Sequence, residues 1–179
     1  MDLTHYNSKM ASDKEDKKKV VKEKSKEALS YYLREPYVPF VICIVLSILA
    51  NEIYPIHDLI PDFISLYGGL AFLAMGLFIF RWGLKHMFLN GEKWSPLHVE
   101  SRVLIVFGPY HYSRNPMFVV FILFYLTLFV FLNNLWGFIF LIPLVIMLNK
   151  YIIQPREKLF EEKYGGVYSD YHNKTGRWL

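Results

Sequence analysis

The sequence predicts an all-α integral membrane protein of about four transmembrane helices, two of them joined as a tight hairpin, with a cytoplasmic C-terminal helical segment. Three observations carry this. The 179-residue chain is 54% hydrophobic and 18% aromatic, with a mean hydropathy of +0.23, although 20% of its residues are charged. The charges are segregated: residues 1 to 35 hold 9 Lys/Arg and 7 Asp/Glu, whereas Val38 to Ala50, Phe63 to Phe80 and Pro116 to Leu148 hold none. The basic residues also alternate along the chain, with 9 before the first apolar run, 0 in residues 52 to 62, 5 from Arg81 to Arg114, 0 at Asn133-Asn134 and 6 from Lys150 onward. Because Lys and Arg collect in cytoplasmic loops, this alternation assigns both termini and the long middle segment of a multi-pass protein to the cytoplasm.

Taken in order, residues 1–35 form a charged cytoplasmic arm, with Lys17-Lys18-Lys19 set among acidic residues and a net charge of only +2. It is too long and too mixed in sign for a signal peptide. The membrane domain then covers 36–179. Its first span runs from Pro36 or Tyr37 to about Asn51, and its second from Phe63 to Trp82, where Gly68, Gly69, Gly76 and Gly83 offer close helix contacts. A cytoplasmic loop over 83–115 follows. The third and fourth spans, Pro116 to Leu132 and Leu135 to about Ile153, are separated only by Asn133-Asn134, which makes them a helical hairpin. Segment 154–179 closes the chain on the cytoplasmic side.

Several chemistries are excluded. One cysteine, Cys43, rules out an internal disulfide and a cysteine-based zinc site. The 6 histidines show no metal-ligand spacing, so no metal is assigned. Neither a phosphate-binding loop nor a Gly-x-Gly-x-x-Gly motif is present. The basic residues follow topology and are not gathered on a patch, which argues against nucleic acid as a partner. The partners implied are the lipid bilayer and a lipophilic substrate.

Polar and aromatic residues concentrate in two cytoplasmic segments. In Gly108-Pro109-Tyr110-His111-Tyr112-Ser113-Arg114-Asn115-Pro116-Met117-Phe118, the Gly-Pro pair marks a turn, and Asn115 before Pro116 is placed as the N-cap of the third span. Two readings stay open: a well-made helix start, or an anion site formed by that start and Arg114. In the C-terminal segment, Glu157, Glu161, Tyr164, Tyr168 and Tyr171 are spaced 4, 3, 4 and 3 and would form one helical stripe of carboxylates and rings. Such a face suits a cation, or is an interfacial tyrosine face. Gly165-Gly166 weakens or ends the helix within it.

Together these segments resemble the isoprenylcysteine carboxyl methyltransferase and phospholipid methyltransferase superfamily, whose pattern is Gly-Pro-Tyr-x-Tyr-x-Arg-His/Asn-Pro-x-Tyr, an apolar hairpin, then Glu, Tyr-Gly, Tyr, Tyr and a closing Arg. Asn115 stands where the isoprenylcysteine enzymes typically have His, and Phe118 where Tyr is usual. The resemblance implies an integral-membrane enzyme that uses S-adenosylmethionine to methylate a lipophilic acceptor, an isoprenylcysteine-like carboxylate or a lipid. It implies cofactor binding by Gly108, Pro109, Tyr110, Tyr112, Arg114, Asn115, Pro116 and Met117 from the first segment and by Glu157, Tyr168, Tyr171 and Arg177 from the second. Arg114 and Glu157 would be the catalytic pair, Arg114 at the cofactor carboxylate and Glu157 at the opposite, cationic end. Two rival readings are a membrane reductase similar to the NADPH-dependent sterol and steroid reductases, which Lys163-Tyr164-Gly165 also fits, and a non-catalytic membrane scaffold.

Overall fold

The computed structural model describes residue 35 and residues 37–56, 60–91 and 103–179. The arm over 1–34 lies outside the described residues, as does most of the segment between 91 and 103. Among the described residues the regular structure is helical, with one isolated bridge, Ser113 to Gly176. Its helices are α1 (Tyr37–Ile53), α2 (Asp62–Leu89), α3 (Pro116–Phe131), α4 (Leu135–Met147), α5 (Gln154–Tyr164) and α6 (Gly166–Lys174). A 3-10 turn over Gly108–His111 precedes α3, and a π turn over Leu148–Ile153 joins α4 to α5 without a break. Two continuous helices, Asp62–Leu89 and Leu135–Tyr164, are long and apolar enough to cross a membrane, while α1 and α3 are shorter apolar helices of 17 and 16 residues.

Helix α3 is the centre of the bundle. It buries Phe118, Val120, Leu123, Tyr125, Phe129 and Val130, with α2 packed along it and α1 packed on α4. The α2 interface follows from residue size. Its buried residues are Ser65, Gly69, Gly76 and Gly83, which recur at helical spacing and let the two backbones approach. A Cβ at Gly69 would stand 2.5 Å from the Phe131 ring, and one at Gly76 2.7 Å from the Phe124 ring. Ser65 donates its hydroxyl proton to the Val130 carbonyl. Large residues of α2 such as Phe63, Leu66, Tyr67, Leu70, Leu77 and Phe78 face outward.

Helix α1 buries only Pro39, Cys43 and Ser47, one stripe at every fourth residue. The Ser47 hydroxyl donates to the Cys43 carbonyl at 2.6 Å and lies 3.1 Å from the Tyr125 hydroxyl. In the hairpin turn Asn133 takes φ +48, a conformation that Asn tolerates better than most residues. The Asn134 side chain accepts from the Trp136 amide at 2.9 Å and so caps α4. Gly137 is required here, because a Cβ would run into Phe129, which is fully buried.

Two boundaries differ from the sequence reading. The second apolar helix does not stop at Trp82 but continues to Leu89, so the segment taken as a loop over 83–115 begins as helix. Gly83 stays within the helix, buried against Met117, and the stop comes only at Asn90-Gly91, where the Asn90 side chain donates to the His86 carbonyl at 2.7 Å and Gly91 takes φ +74. The fourth apolar helix likewise runs past Ile153 into α5, ending at Gly165 with φ +52. That glycine splits the expected stripe between α5 and α6.

Candidate functional site

The site is assembled where the chain enters α3. Gly108 takes φ +65, and a Cβ there would strike the His86 ring of α2, so glycine serves both the turn and the close approach. Pro109 then starts the 3-10 turn, and its carbonyl accepts from the amides of Tyr112 and Ser113 at 3.2 and 3.1 Å. The Ser113 hydroxyl accepts from the Asn115 amide at 3.1 Å.

The last residues of the chain are zipped onto this turn. The Arg114 amide donates to the Gly176 carbonyl at 2.9 Å, and the Asn115 side chain donates to the Arg177 carbonyl at 3.1 Å. The Thr175 hydroxyl donates to the His111 carbonyl at 3.4 Å, and the Tyr171 hydroxyl to the Tyr110 carbonyl at 2.6 Å. Asn115 therefore holds the N-cap position without capping through its side chain. Its amide is committed to the tail, and only its backbone carbonyl serves the helix start, accepting from Phe118 and Val119.

This docking brings three charges together. Glu157, projecting from α5, receives Arg177 as a fork: Nη2 to Oε2 at 2.7 Å and Nε to Oε1 at 3.2 Å. Arg114 approaches from the other side, Nη1 lying 3.1 Å from Oε1. The side chains of Arg114 and Glu157 are only 8% and 13% exposed, against 35% for Arg177. The cluster carries a net charge of +1, from two guanidiniums and one carboxylate. Arg114 is close to Glu157 but not aligned with it, and its Nε and Nη1 are buried without a hydrogen-bond partner. Burial raises the phenol pKa of Tyr168, and Glu157 raises it further, against a hydrogen bond from Arg114 that lowers it. Burial raises that of Tyr171 as well, followed by the neighbouring Tyr168. Both rings therefore present neutral hydroxyls throughout the physiological range.

Not every residue that the sequence marked converges here. Arg114, Asn115, Glu157, Tyr168, Tyr171 and Arg177 share the cluster or its immediate supports; Pro109, Tyr110 and Pro116 are buried, Tyr110 holding Tyr171 through its carbonyl and Pro109 lying toward Gly83 of α2. Tyr112 is 64% exposed and turns toward Trp82, with ring centroids 6.1 Å apart. Met117 packs toward Gly83, and Gly108 against His86. These three line the seam with α2. Glu161 is exposed, and the Tyr164 ring packs edge-on against Phe160. The sequence reading missed Ser113 and Thr175, whose hydroxyls bond backbone groups of the turn, and Gly176, which acts through its carbonyl; none of these contacts leaves a sequence pattern. It also missed Arg156, whose charge lowers the pKa of both Tyr168 and Tyr171.

These features define a helical, apolar protein with a compact charged site where its helices turn polar. The phospholipid methyltransferase family profile matches residues 64–166, more than half of the chain, and the chain belongs to that family. Membership gives membrane methyl transfer as its class of activity. The matched stretch contains Arg114 and Glu157 and ends before Tyr168, Tyr171 and Arg177. No curated protein and no solved structure matches the chain.

Proposed function

We propose that the chain transfers the methyl group of S-adenosylmethionine to a lipophilic acceptor at the cytoplasmic membrane face. The observation that carries this reading is the Arg114–Glu157–Arg177 cluster. The amino-acid end of the cofactor bears a carboxylate and an ammonium on one carbon, so it calls for a cation and an anion side by side. That geometry replaces the expectation that Arg114 and Glu157 take opposite ends of the molecule. The donor set fits: Arg114 Nε is buried without a hydrogen-bond partner, and Nη1 makes an ion pair with Glu157 but no hydrogen bond, which leaves donors for a carboxylate. A carboxylate has about four acceptor positions, so Glu157 keeps capacity for an ammonium beside its contacts with the two arginines. Arg177 and Asn115 fix the tail that holds this arrangement, and Tyr168 and Tyr171 supply neutral hydroxyls and ring walls.

When bound, the cofactor supplies an electrophilic methyl carbon on a sulfonium. The residues of the chain contribute orientation and exclusion of water, which are the main requirements of an in-line displacement. Arg114 and Glu157 hold the amino-acid end, and the apolar faces of α3 and α4 meet the acceptor from the bilayer. Glu157 is committed to its ion pairs, so it serves as a binding group more than as a proton acceptor.

Titration of purified protein with S-adenosylhomocysteine and, separately, with reduced dinucleotide tests the reading. Saturable binding of the former alone is expected, and binding of the dinucleotide alone would favour a reductase. The membrane arrangement proposed with it has four spans and both termini in the cytoplasm, supported by the alternation of Lys and Arg. A cysteine from Leu132→Cys should react with an impermeant reagent from the non-cytoplasmic side, and one from Lys174→Cys from the cytoplasm. Labelling of both from one side removes the arrangement.

A further inference from the structure

Arg177 reaches Glu157 from a backbone that is pinned on both sides. The Gly176 carbonyl accepts from the Arg114 amide at 2.9 Å, the Arg177 carbonyl accepts from the Asn115 side chain at 3.1 Å, and Trp178 packs against the buried core. A Cβ at Gly176 would strike the Leu179 carbonyl, so the chain end is curled tightly around these anchors. The side chain of Arg177 has no such anchor. Among the described residues its guanidinium bonds Glu157 and no other group, through Nη2 to Oε2 at 2.7 Å and Nε to Oε1 at 3.2 Å. Releasing it costs one ion pair and requires only rotation about side-chain bonds.

Exposure sets Arg177 apart from its partners. Its side chain is 35% exposed, whereas those of Arg114 and Glu157 are 8% and 13% exposed. Arg177 thus stands between the carboxylate and solvent, with Arg114 on the inner side. Glu157 has lone pairs to spare for an ammonium, but the side by which a soluble molecule reaches them is the side that Arg177 covers. Two cations side by side there also repel each other.

We propose that Arg177 competes with the cofactor for Glu157: its guanidinium and the α-ammonium of S-adenosylmethionine take the solvent side of the same carboxylate in turn, while the tail backbone stays docked. Arg177 is then a gate on the site and not one of its ligands. A molecule that has to displace this pair binds more weakly, in proportion to the fraction of time that the carboxylate is released. Arg114, more deeply buried and with donors to spare, stays in place for the cofactor carboxylate. The inference rests on the methyl-transfer reading and reverses the part expected of Arg177.

Calorimetric titration of the full chain in detergent tests it, with S-adenosylhomocysteine and with the analogue of that molecule lacking the α-amino group. Arg177→Gln removes the charge and leaves the backbone carbonyl for Asn115. It should bind S-adenosylhomocysteine roughly three- to ten-fold more tightly than the native protein does, although its unfolding temperature falls. The analogue has no ammonium to seat, and its affinity should not rise. Arg177→Lys keeps the charge but loses the fork, so it should show a smaller gain, and it carries the test if Arg177→Gln does not fold. Lys174→Gln, which removes an exposed charge from the end of α6, should change neither affinity. Unchanged or weaker binding of S-adenosylhomocysteine by the Arg177 variants would make Arg177 a ligand or a structural tie and overturn the proposal. An equal gain for both molecules would also overturn it, because the block would then not lie at the ammonium. Failure of S-adenosylhomocysteine to bind the native protein and every variant would instead remove the methyl-transfer reading on which the gate depends.

Discussion

The seam between α2 and α3 and the junction between the α3 entry and the C-terminal tail solve the same problem by opposite means. Along the seam, Gly69, Gly76 and Gly83 face Phe131, Phe124 and Met117, and contact is a matter of shape. At the junction, backbone groups of Arg114, His111 and Tyr110 pair with the tail, and Glu157 is shared by two arginines. Apolar surroundings give helices no hydrophobic reason to associate, so close packing of small residues against large ones takes over. Where the helices turn polar, directional bonds can instead fix a functional constellation. The first region is held by shape, and the second by charge and directional bonds.

Four substitutions sharpen or break this contrast, beginning with the largest effect. Gly137→Ala places a methyl against Phe129, which is fully buried and has nowhere to move. A loss of about 3 kcal/mol is expected from overpacking, read as a lowered unfolding temperature in detergent. Retention of full stability would show that the hairpin is not packed by shape.

Glu157→Ala strands two guanidiniums. Because the groups are partly exposed, about 2 kcal/mol of stability should be lost, less than for a fully buried pair. Arg114 and Glu157 touch, so Arg114→Ala and Glu157→Ala should also be non-additive in a double-mutant cycle. Additivity within about 0.5 kcal/mol would mean that the two act independently.

Arg114→Ala should weaken S-adenosylhomocysteine binding by roughly 2 kcal/mol, as expected for a charge-assisted contact in a partly desolvated site. Arg81→Ala, at an exposed position on α2, should have little effect. Equal affinities of the two variants by calorimetry would detach the cluster from the cofactor.

The smallest effect is expected from Tyr171→Phe, which removes the bond to the Tyr110 carbonyl and should cost about 1 kcal/mol. It also carries a sign in pH. Burial raises the phenol pKa of Tyr168 and Tyr171 above the ordinary value of 10.0. The folded state therefore holds these protons more tightly than the unfolded chain. Their contribution is complete below pH 10.0 and is lost as pH rises from there through the folded-state values. Native protein should lose stability above that pH more steeply than Tyr171→Phe does, as followed by thermal unfolding.

The apolar helices were legible in the sequence because hydropathy and the placement of charge are local properties. Val38 to Ala50 and Pro116 to Leu148 announce themselves without reference to any partner. Gly108-Pro109 and Asn133-Asn134 likewise marked their turns, since left-handed or cap conformations restrict which residues serve. The family was readable for a related reason: Arg114 and Glu157 sit in short motifs of fixed order. What only the tertiary structure decided is which of these residues meet. Asn115 looks like a capping residue until the tail arrives and claims its side-chain amide. Tyr112 falls in the same motif as Arg114, yet the turn sends it to Trp82. Glu157 and Arg177 are joined only because Gly165 breaks the helix and the chain end after α6 docks on the turn that enters α3. Thr175 reaches the turn through its hydroxyl and Gly176 through its backbone carbonyl, and neither contact belongs to a local sequence pattern. Periodicity records how a residue relates to its own helix, whereas a site of this kind depends on backbone directions summed over a separation of 62 residues, as between Asn115 and Arg177, and no local pattern encodes that sum.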